Sequence, residues 1–271
     1  MRDRILQANL ELHGEEACIY DQVHAEIFNP VEQKRLARMV SLALSYCKSG
    51  GHRALDVGAG TGNLTRWLLE LGYTTTAVDL SPEMLAALKR KFPEAVAAEL
   101  LTVTISEAEH LPGKGEEYDF VGAYSVMHHL PDYMAAIREM VRVLKPGGVL
   151  YLDHEHRAMA PAELWRWRVY TRLRTVRMKS VLRAALLPLA GAKSGDDAAS
   201  ASRYWWADYW VTQGHGLDWE RVAGLCAELG VREIPTRPYL NHRGTLRDRL
   251  LYPLFSRLVA DTRTFIGVKD A

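Results

Sequence analysis

Between Arg53 and His156 the chain alternates short apolar or β-branched segments with segments of helical spacing. RALDVGAG, YTTTAVD, LLTVTI, YDFVGAYSV and GVLYLDHEH read as five strands, and NLTRWLLELG, SPEMLAALKRKF and DYMAAIREMVRVL as helices between them. This rhythm constrains the fold more than any other feature. Successive strands reached through helical crossovers form a parallel sheet with helices on both faces, and the crossovers are right-handed. Local chemistry supports the boundaries. Ser81 and Pro82 are an N-cap and first-turn pair, and Gly72 closes the helix before the second strand.

Flanking segments are expected to be helical. Asn29, Pro30 and Glu32 mark a helix start with a capping box. After the fifth strand, residues 161–190 look helical and rich in Trp and Arg, and GAKSGDDAASAS (191–202) reads as a flexible linker. LDWERVAGLCAELG is an amphipathic helix, VREIPTRPYL a strand, 244–260 a second helical insert and TFIGVKD the last strand. The expected organisation is one domain over 1–271. Within it, 1–44 is a helical lid, 45–157 a cofactor-binding core, 158–216 a helical insert over the substrate, and 217–271 a closing helix and strand pair.

The glycine loop that ends the first strand, LDVGAGTGN, decides what the core holds. Gly58, Gly60 and Gly62 are spaced G-x-G-x-G, with Asn63 where the dinucleotide fingerprint has its third glycine. A Walker loop would need Gly-Lys-Ser/Thr, which is missing here. Asp56 precedes the loop by two residues and would repel a pyrophosphate but suit an ammonium or sulfonium centre. At about 4 Å and an effective dielectric near 20 that preference amounts to roughly 4 kcal/mol. Asp79, ending the second strand, is placed for a ribose diol. The loop therefore faces a nucleoside with a positive centre and no phosphate.

With LDVGAGTGN, AVDLSPEML, SEAEHLP, YDFVGAYSVMHHLPD and VLKPGG occurring in that order, the sequence resembles the class I S-adenosylmethionine-dependent methyltransferases, and among them the small-molecule, quinone-biosynthesis type. The resemblance covers about residues 53–157 and the closing helix and strand pair after 217. It implies a Rossmann-like seven-stranded α/β sheet in the order 3-2-1-4-5-7-6, with strand 7 antiparallel and helical inserts after strands 5 and 6. It implies S-adenosylmethionine as cofactor and S-adenosylhomocysteine as product. The loop Gly58, Ala59, Gly60 and Gly62, with Asp56 and Asn63, would wrap the methionine part. Asp79 would take the ribose, with Leu80, Glu107 and Ala108 beside the adenine. Glu107 stands where the family more often has Asp. Ser125 completes the expected cofactor set, and Tyr20 and Asp21 resemble a lid over the methionine end.

Methyl transfer from a sulfonium is an in-line displacement in which positioning supplies much of the rate and a base is useful but not obligatory. The base candidates are His128, after the fourth strand, and His154 and His156, which on a regular strand share one face. A metal chelated by His154, His156 and Asp153 or His128 is the lesser alternative, and the expectation is no metal. His129 and the aromatic run RYWWADYW, with Trp205, Trp206, Tyr209 and Trp210, are the acceptor-pocket candidates; the competing reading is that these aromatics glue the insert to the sheet.

Charge is unevenly spread about a net of +1. Residues 1–156 hold 15 basic and 22 acidic side chains, and residues 157–271 hold 19 and 11. The basic stretch 163–183 winds its charges into two stripes, so a clamped helix is favoured over a membrane-surface helix, and nucleic acid is not expected as a partner. No secretory leader or apolar stretch of about 20 residues is visible, and the three cysteines lack metal-ligand spacing, which suits a cytoplasmic protein. The acceptor is expected to be a small anionic or apolar molecule methylated at oxygen. Transfer to carbon or nitrogen of a quinone-like or lipid acceptor is the alternative, and a non-catalytic S-adenosylmethionine-binding regulator the alternative of another class. Oligomeric state is open.

Overall fold

The computed structural model describes residues 1–175, 205–212 and 216–271, with the side chains of Thr175, Tyr209 and Thr212 excepted. Its strands are β1 (Arg53–Val57), β2 (Thr74–Asp79), β3 (Leu101–Ile105), β4 (Tyr118–Tyr124), β5 (Leu144–His156), β6 (Val231–Ile234) and β7 (Thr262–Lys269). They form one sheet in the order β3-β2-β1-β4-β5-β7-β6. The first five are parallel where they pair, and β7 runs antiparallel to both β5 and β6. The expected order and the single reversed strand are both present.

The central strand β4 is buried at all of its positions and carries mostly apolar or small side chains, while its one carboxylate, Asp119, accepts from Ser49 Oγ, Arg53 N and Lys145 Nζ. One face packs Leu55, Val121 and Leu150 against Ile137 of α8 (Tyr133–Val143) and Val222 of the helix Trp219–Glu228. The other packs Ala54, Phe120 and Tyr151 against Leu36 and Val40 of α4 (Pro30–Ser45) and Leu68 of α5 (Asn63–Glu70). Each such fully buried aliphatic contributes about 1.5–3 kcal/mol.

Helix starts follow the expected chemistry with one exception. Ser81 Oγ accepts from Met84 N at the head of α6 (Pro82–Lys91), and Asn29 Oδ1 accepts from Val31 N and Glu32 N at the head of α4. Glu32 does not complete a capping box. Its carboxylate is buried, takes a bidentate contact from Arg35, and accepts from Tyr124 Oη at 2.9 Å. A buried guanidinium one turn away outcompetes a single backbone N–H for a carboxylate.

Two strand boundaries also move. Lys145, Pro146, Gly147 and Gly148 lie inside β5, at a register shift against β4. β6 stops at Ile234 because Pro235 cannot donate to the ladder, and Tyr239 meets Thr262 in an isolated bridge.

The basic, Trp-rich helix α9 (Pro161–Thr175) is anchored by its aromatic side. Tyr170 Oη donates to Asp248 Oδ1 at 2.7 Å, and Trp167 Nε1 donates to Asp261 Oδ2 at 3.1 Å. It packs on the second helical insert, Leu246–Phe255, which Thr245 starts with a capping box to Asp248. The remainder of the predicted helix, 176–190, and the linker 191–202 lie outside the described residues.

Candidate cofactor and acceptor site

At the C-terminal ends of β1, β2 and β4 lies a concave pocket, where open α/β sheets bind their ligands. Its floor is the glycine loop. Gly58, Gly60 and Gly62 all have positive φ, and a Cβ on Gly58 would stand 2.5 Å from Val126 Cγ1. Asp79 braces the loop: its Oδ2 accepts from Gly60 N at 2.8 Å and its Oδ1 from Ser81 N at 2.9 Å. Burial raises its pKa, and these backbone donors act in the opposite sense.

Of the expected cofactor residues, Tyr20, Gly58, Ala59, Gly60, Asn63, Asp79, Leu80, Glu107, Ala108 and Ser125 line the pocket. Two do not. Gly62 starts α5, where a Cβ would meet Phe92 Cε2 at 2.7 Å, so its role is helix packing. Asp56 is buried beneath α5 and accepts from Thr65 Oγ1 at 2.6 Å. Burial pushes its pKa up to about 7. The strand pleat turns the Asp56 side chain away from the pocket that Val57 lines.

The lining has a decisive electrostatic character. It includes Asp79, Glu107 and Glu109 and, among the described residues, neither lysine nor arginine. Glu109 carries both carboxylate oxygens buried without a hydrogen-bond donor, and burial raises its pKa. Sequence reasoning stopped at Glu107, whose carboxylate pairs with Arg2 Nη2 at 2.5 Å. Glu109 was within reach of that reasoning, two residues on in the same SEAEHLP motif. Asn63 offers a further orphan, its Nδ2, while its Oδ1 accepts from Gln33 Nε2 at 2.8 Å.

The roof comes from the N-terminal segment. α1 (Arg2–Glu16) contributes Leu6, Asn9 and His13 to the lining, and Asn9 Nδ2 donates to His129 O at 3.0 Å. Asp21 ties the next turn to the loop, accepting from Thr61 Oγ1 at 2.6 Å and pairing with Lys91 Nζ at 2.5 Å. Tyr20 lies against His24, with ring centroids 4.1 Å apart.

The histidines are arranged otherwise than a regular strand predicts. β5 bulges between Leu152 and Glu155, and His154 takes a left-handed φ of 60°. His154 and His156 therefore have different surroundings. His154 stacks on Tyr124 at 5.0 Å, its Nδ1 lies 3.2 Å from Ser125 Oγ, and its Nε2 is buried without a partner. His156 meets His128 edge-on at 5.6 Å, and burial pushes its pKa down to about 3. Neither lines the pocket, nor does His128; the histidines that do are His13 and His129.

His128 is held by a residue that sequence reasoning missed. Fully buried Glu155 accepts from Val126 N and Met127 N at 2.7 and 2.8 Å and lies 2.8 Å from His128 Nδ1. Burial nevertheless pushes Glu155 up to about 7 and holds His128 well below the usual imidazole range. Asp153, part of the alternative metal set, belongs to another network, with Arg35 Nη2 at 2.8 Å and Thr264 Oγ1 at 2.6 Å. Among the described residues, the group whose spacing could accept a metal ion is a different one: ligand atoms of His128, His129 and Asp208 lie within 4.8 Å of one another.

Of the aromatic run, Trp205, Trp206 and Trp210 do not line this pocket. Trp206 packs with Ala8 and Leu12 of α1 and lies edge-on to Trp205 at 4.7 Å. Trp210 donates from Nε1 to Leu130 O at 2.8 Å and packs edge-on to Tyr133. These contacts glue the insert to the body, the competing reading of the sequence; the Tyr209 side chain is outside the described residues.

With the geometry in place, comparison with known proteins gives it a class. Residues 55–152 match the family described as "Methyltransferase domain". That segment is similar to a methyltransferase domain. Among curated relatives, the methyltransferase GfsG of Streptomyces halstedii is 34% identical over 103 residues, covering 38% of this chain and 37% of its own. The ubiquinone biosynthesis O-methyltransferase of Xanthomonas campestris pv. campestris (strain B100) is 33% identical over 134 residues, 49% of this chain and 52% of its own. The chain thus spans about half or less of these relatives' lengths. Among solved structures, the N-methyltransferase NodS of Bradyrhizobium japonicum WM9, in complex with S-adenosyl-L-homocysteine, superposes with a TM-score of 0.59 at 16% identity over 97% of this chain and 99% of its own, a likeness of fold. No helix among the described residues is long and apolar enough to cross a membrane.

Proposed function

We propose that this chain transfers the methyl group of S-adenosylmethionine to an oxygen of a small, largely apolar acceptor. The observation that carries the reading is the lining: an acidic pocket on a glycine loop, with neither arginine nor lysine among its described residues. It suits a nucleoside bearing a sulfonium better than one bearing a pyrophosphate. The cofactor, when bound, supplies an activated methyl on a positively charged sulfur.

This chain's residues would then do the following. Asp79, already fixed by Gly60 N and Ser81 N, accepts from the ribose hydroxyls. Leu80 and Ala108 flank the adenine, and the orphan oxygens of Glu109 take its amine or a neighbouring donor. Gly58, Ala59, Gly60, Asn63 and Tyr20 enclose the methionine part, with residues 1–44 closing over it as part of one unit.

At the chemical step the S–CH₃ bond breaks as the O–CH₃ bond forms, and the acceptor oxygen sheds its proton. In this reading Ser125 receives that proton and passes its own to His154 Nδ1, which lies 3.2 Å from Ser125 Oγ. Ser125 and His154 both hold left-handed backbone, with φ of 59° and 60°, at the ends of adjacent strands. Strain of this kind persists where the surroundings enforce it and clusters at active sites. A proton-accepting pair favours oxygen over carbon as the methylated atom.

The test uses methyl-labelled S-adenosylmethionine and a metabolite extract, followed by phase separation. Label in a small organic-soluble product supports the reading. Label confined to polar metabolites would refute the apolar acceptor, and binding without transfer would leave a regulator.

A further inference from the structure

A surface helix normally turns its polar side to water, yet the helix Leu246–Phe255 carries leucines on its outer side as well as apolar residues on its inner one. Its inner side holds Asp248, Leu251, Tyr252 and Phe255 against α9. Its outer side, at i, i+3, i+4 and i+7 spacing, is Leu246, Arg249, Leu250, Pro253, Leu254 and Arg257. Leu246, Leu250 and Leu254 are 73%, 76% and 61% exposed, and Leu258 extends the row at 46%. Single exposed leucines are ordinary, but four in one stripe are not.

Charge selects the occupant. From Leu246 to Leu258 the one acidic residue is Asp248, which is buried and bonded to Tyr170. Arg249 and Arg257 have no carboxylate partner among the described residues. Two copies meeting through this face would bring arginine onto arginine, and a neutral apolar partner would leave both unmatched. On the packed neighbour α9, Trp165 is 66% exposed beside exposed Arg166 and Arg168. Leucine, tryptophan and arginine without acids is the composition of a helix lying in the plane of an anionic bilayer, with leucines in the acyl boundary and guanidinium groups at phosphate level.

We infer that the face formed by Leu246, Leu250, Leu254 and Leu258 with Arg249 and Arg257 docks on anionic lipid surfaces. The inference stands apart from the acceptor assignment, since docking is measured without turnover. The full chain is floated with vesicles of phosphatidylcholine alone and of phosphatidylcholine with 30% (about one lipid in three) phosphatidylglycerol. Wild type is expected to partition at least tenfold more strongly onto the anionic vesicles. L250D/L254D, whose sites are exposed, should lose at least tenfold of that binding. R249Q/R257Q should lose about 25-fold at low salt, from roughly fivefold per arginine, and lose the anionic preference. Unchanged S-adenosylhomocysteine affinity and thermal midpoint show that both variants are folded. Vesicle binding that is absent, or indifferent to both variants, overturns the inference. So does a concentration-dependent dimer abolished by L250D/L254D while vesicles are ignored.

Discussion

Replacing Asp79 with asparagine removes the charge of the residue proposed to hold the ribose while keeping its shape. In the structure each carboxylate oxygen already accepts one backbone N–H, from Gly60 at 2.8 Å and Ser81 at 2.9 Å, leaving lone pairs aimed at the pocket. A hydrogen bond to a charged group is worth about 1.5–3 kcal/mol. Asparagine keeps one oxygen acceptor, so Asp79→Asn forfeits about one such bond, and roughly a tenfold to 150-fold loss in affinity follows from 1.4 kcal/mol per decade. Asp79→Ala forfeits both, about 3–6 kcal/mol, or on the order of 10²–10⁴-fold. The assay is calorimetric titration with S-adenosylhomocysteine, with circular dichroism to confirm that each variant folds. An Asp79→Asn affinity within twofold of wild type, in a folded protein, would refute the ribose assignment.

Three further outcomes are expected. Gly58→Ala combines a left-handed backbone with a Cβ 2.5 Å from Val126 Cγ1, so it should cost about 2–5 kcal/mol and lower the thermal midpoint by roughly 5–15 °C, read by calorimetry. His154→Ala should lower kcat by about 10²–10⁴-fold at saturating cofactor while His156→Ala changes it less than tenfold; equal effects would dismiss the Ser125–His154 relay. Asp56, raised to about 7 by burial, binds its proton more tightly folded than unfolded. Its contribution is therefore most favourable below the unfolded pKa and is lost as pH rises through about 7. From pH 5 to 8 it should cost wild type ~2–3 kcal/mol that Asp56→Asn does not lose, measured by urea denaturation at the two pH values.

What the sequence made legible was whatever is encoded locally. The glycine loop, the N-caps at Asn29 and Ser81, and the strand-ending Asp79 each announce themselves within a few residues, and all stand where expected. What escaped depends on partners distant in sequence. Glu32 reads as a capping residue until Arg35 and Tyr124 are seen to claim it. His154 and His156 read as one face until a single extra residue in β5 re-aims the first. The contribution of α1 was hidden because its apolar residues are few and its lining residues, Leu6, Asn9 and His13, belong to no motif. Trp206 and Trp210 looked like pocket walls by composition, and only packing reveals what each ring touches.

The account turns on an acidic, phosphate-averse nucleoside pocket, and one binding measurement addresses it most directly. The purified chain is titrated separately with S-adenosylhomocysteine and with NAD⁺ under identical conditions. Saturable one-to-one binding of S-adenosylhomocysteine, with no detectable heat from NAD⁺, is the predicted result. Binding of NAD⁺ in preference to S-adenosylhomocysteine would contradict the account.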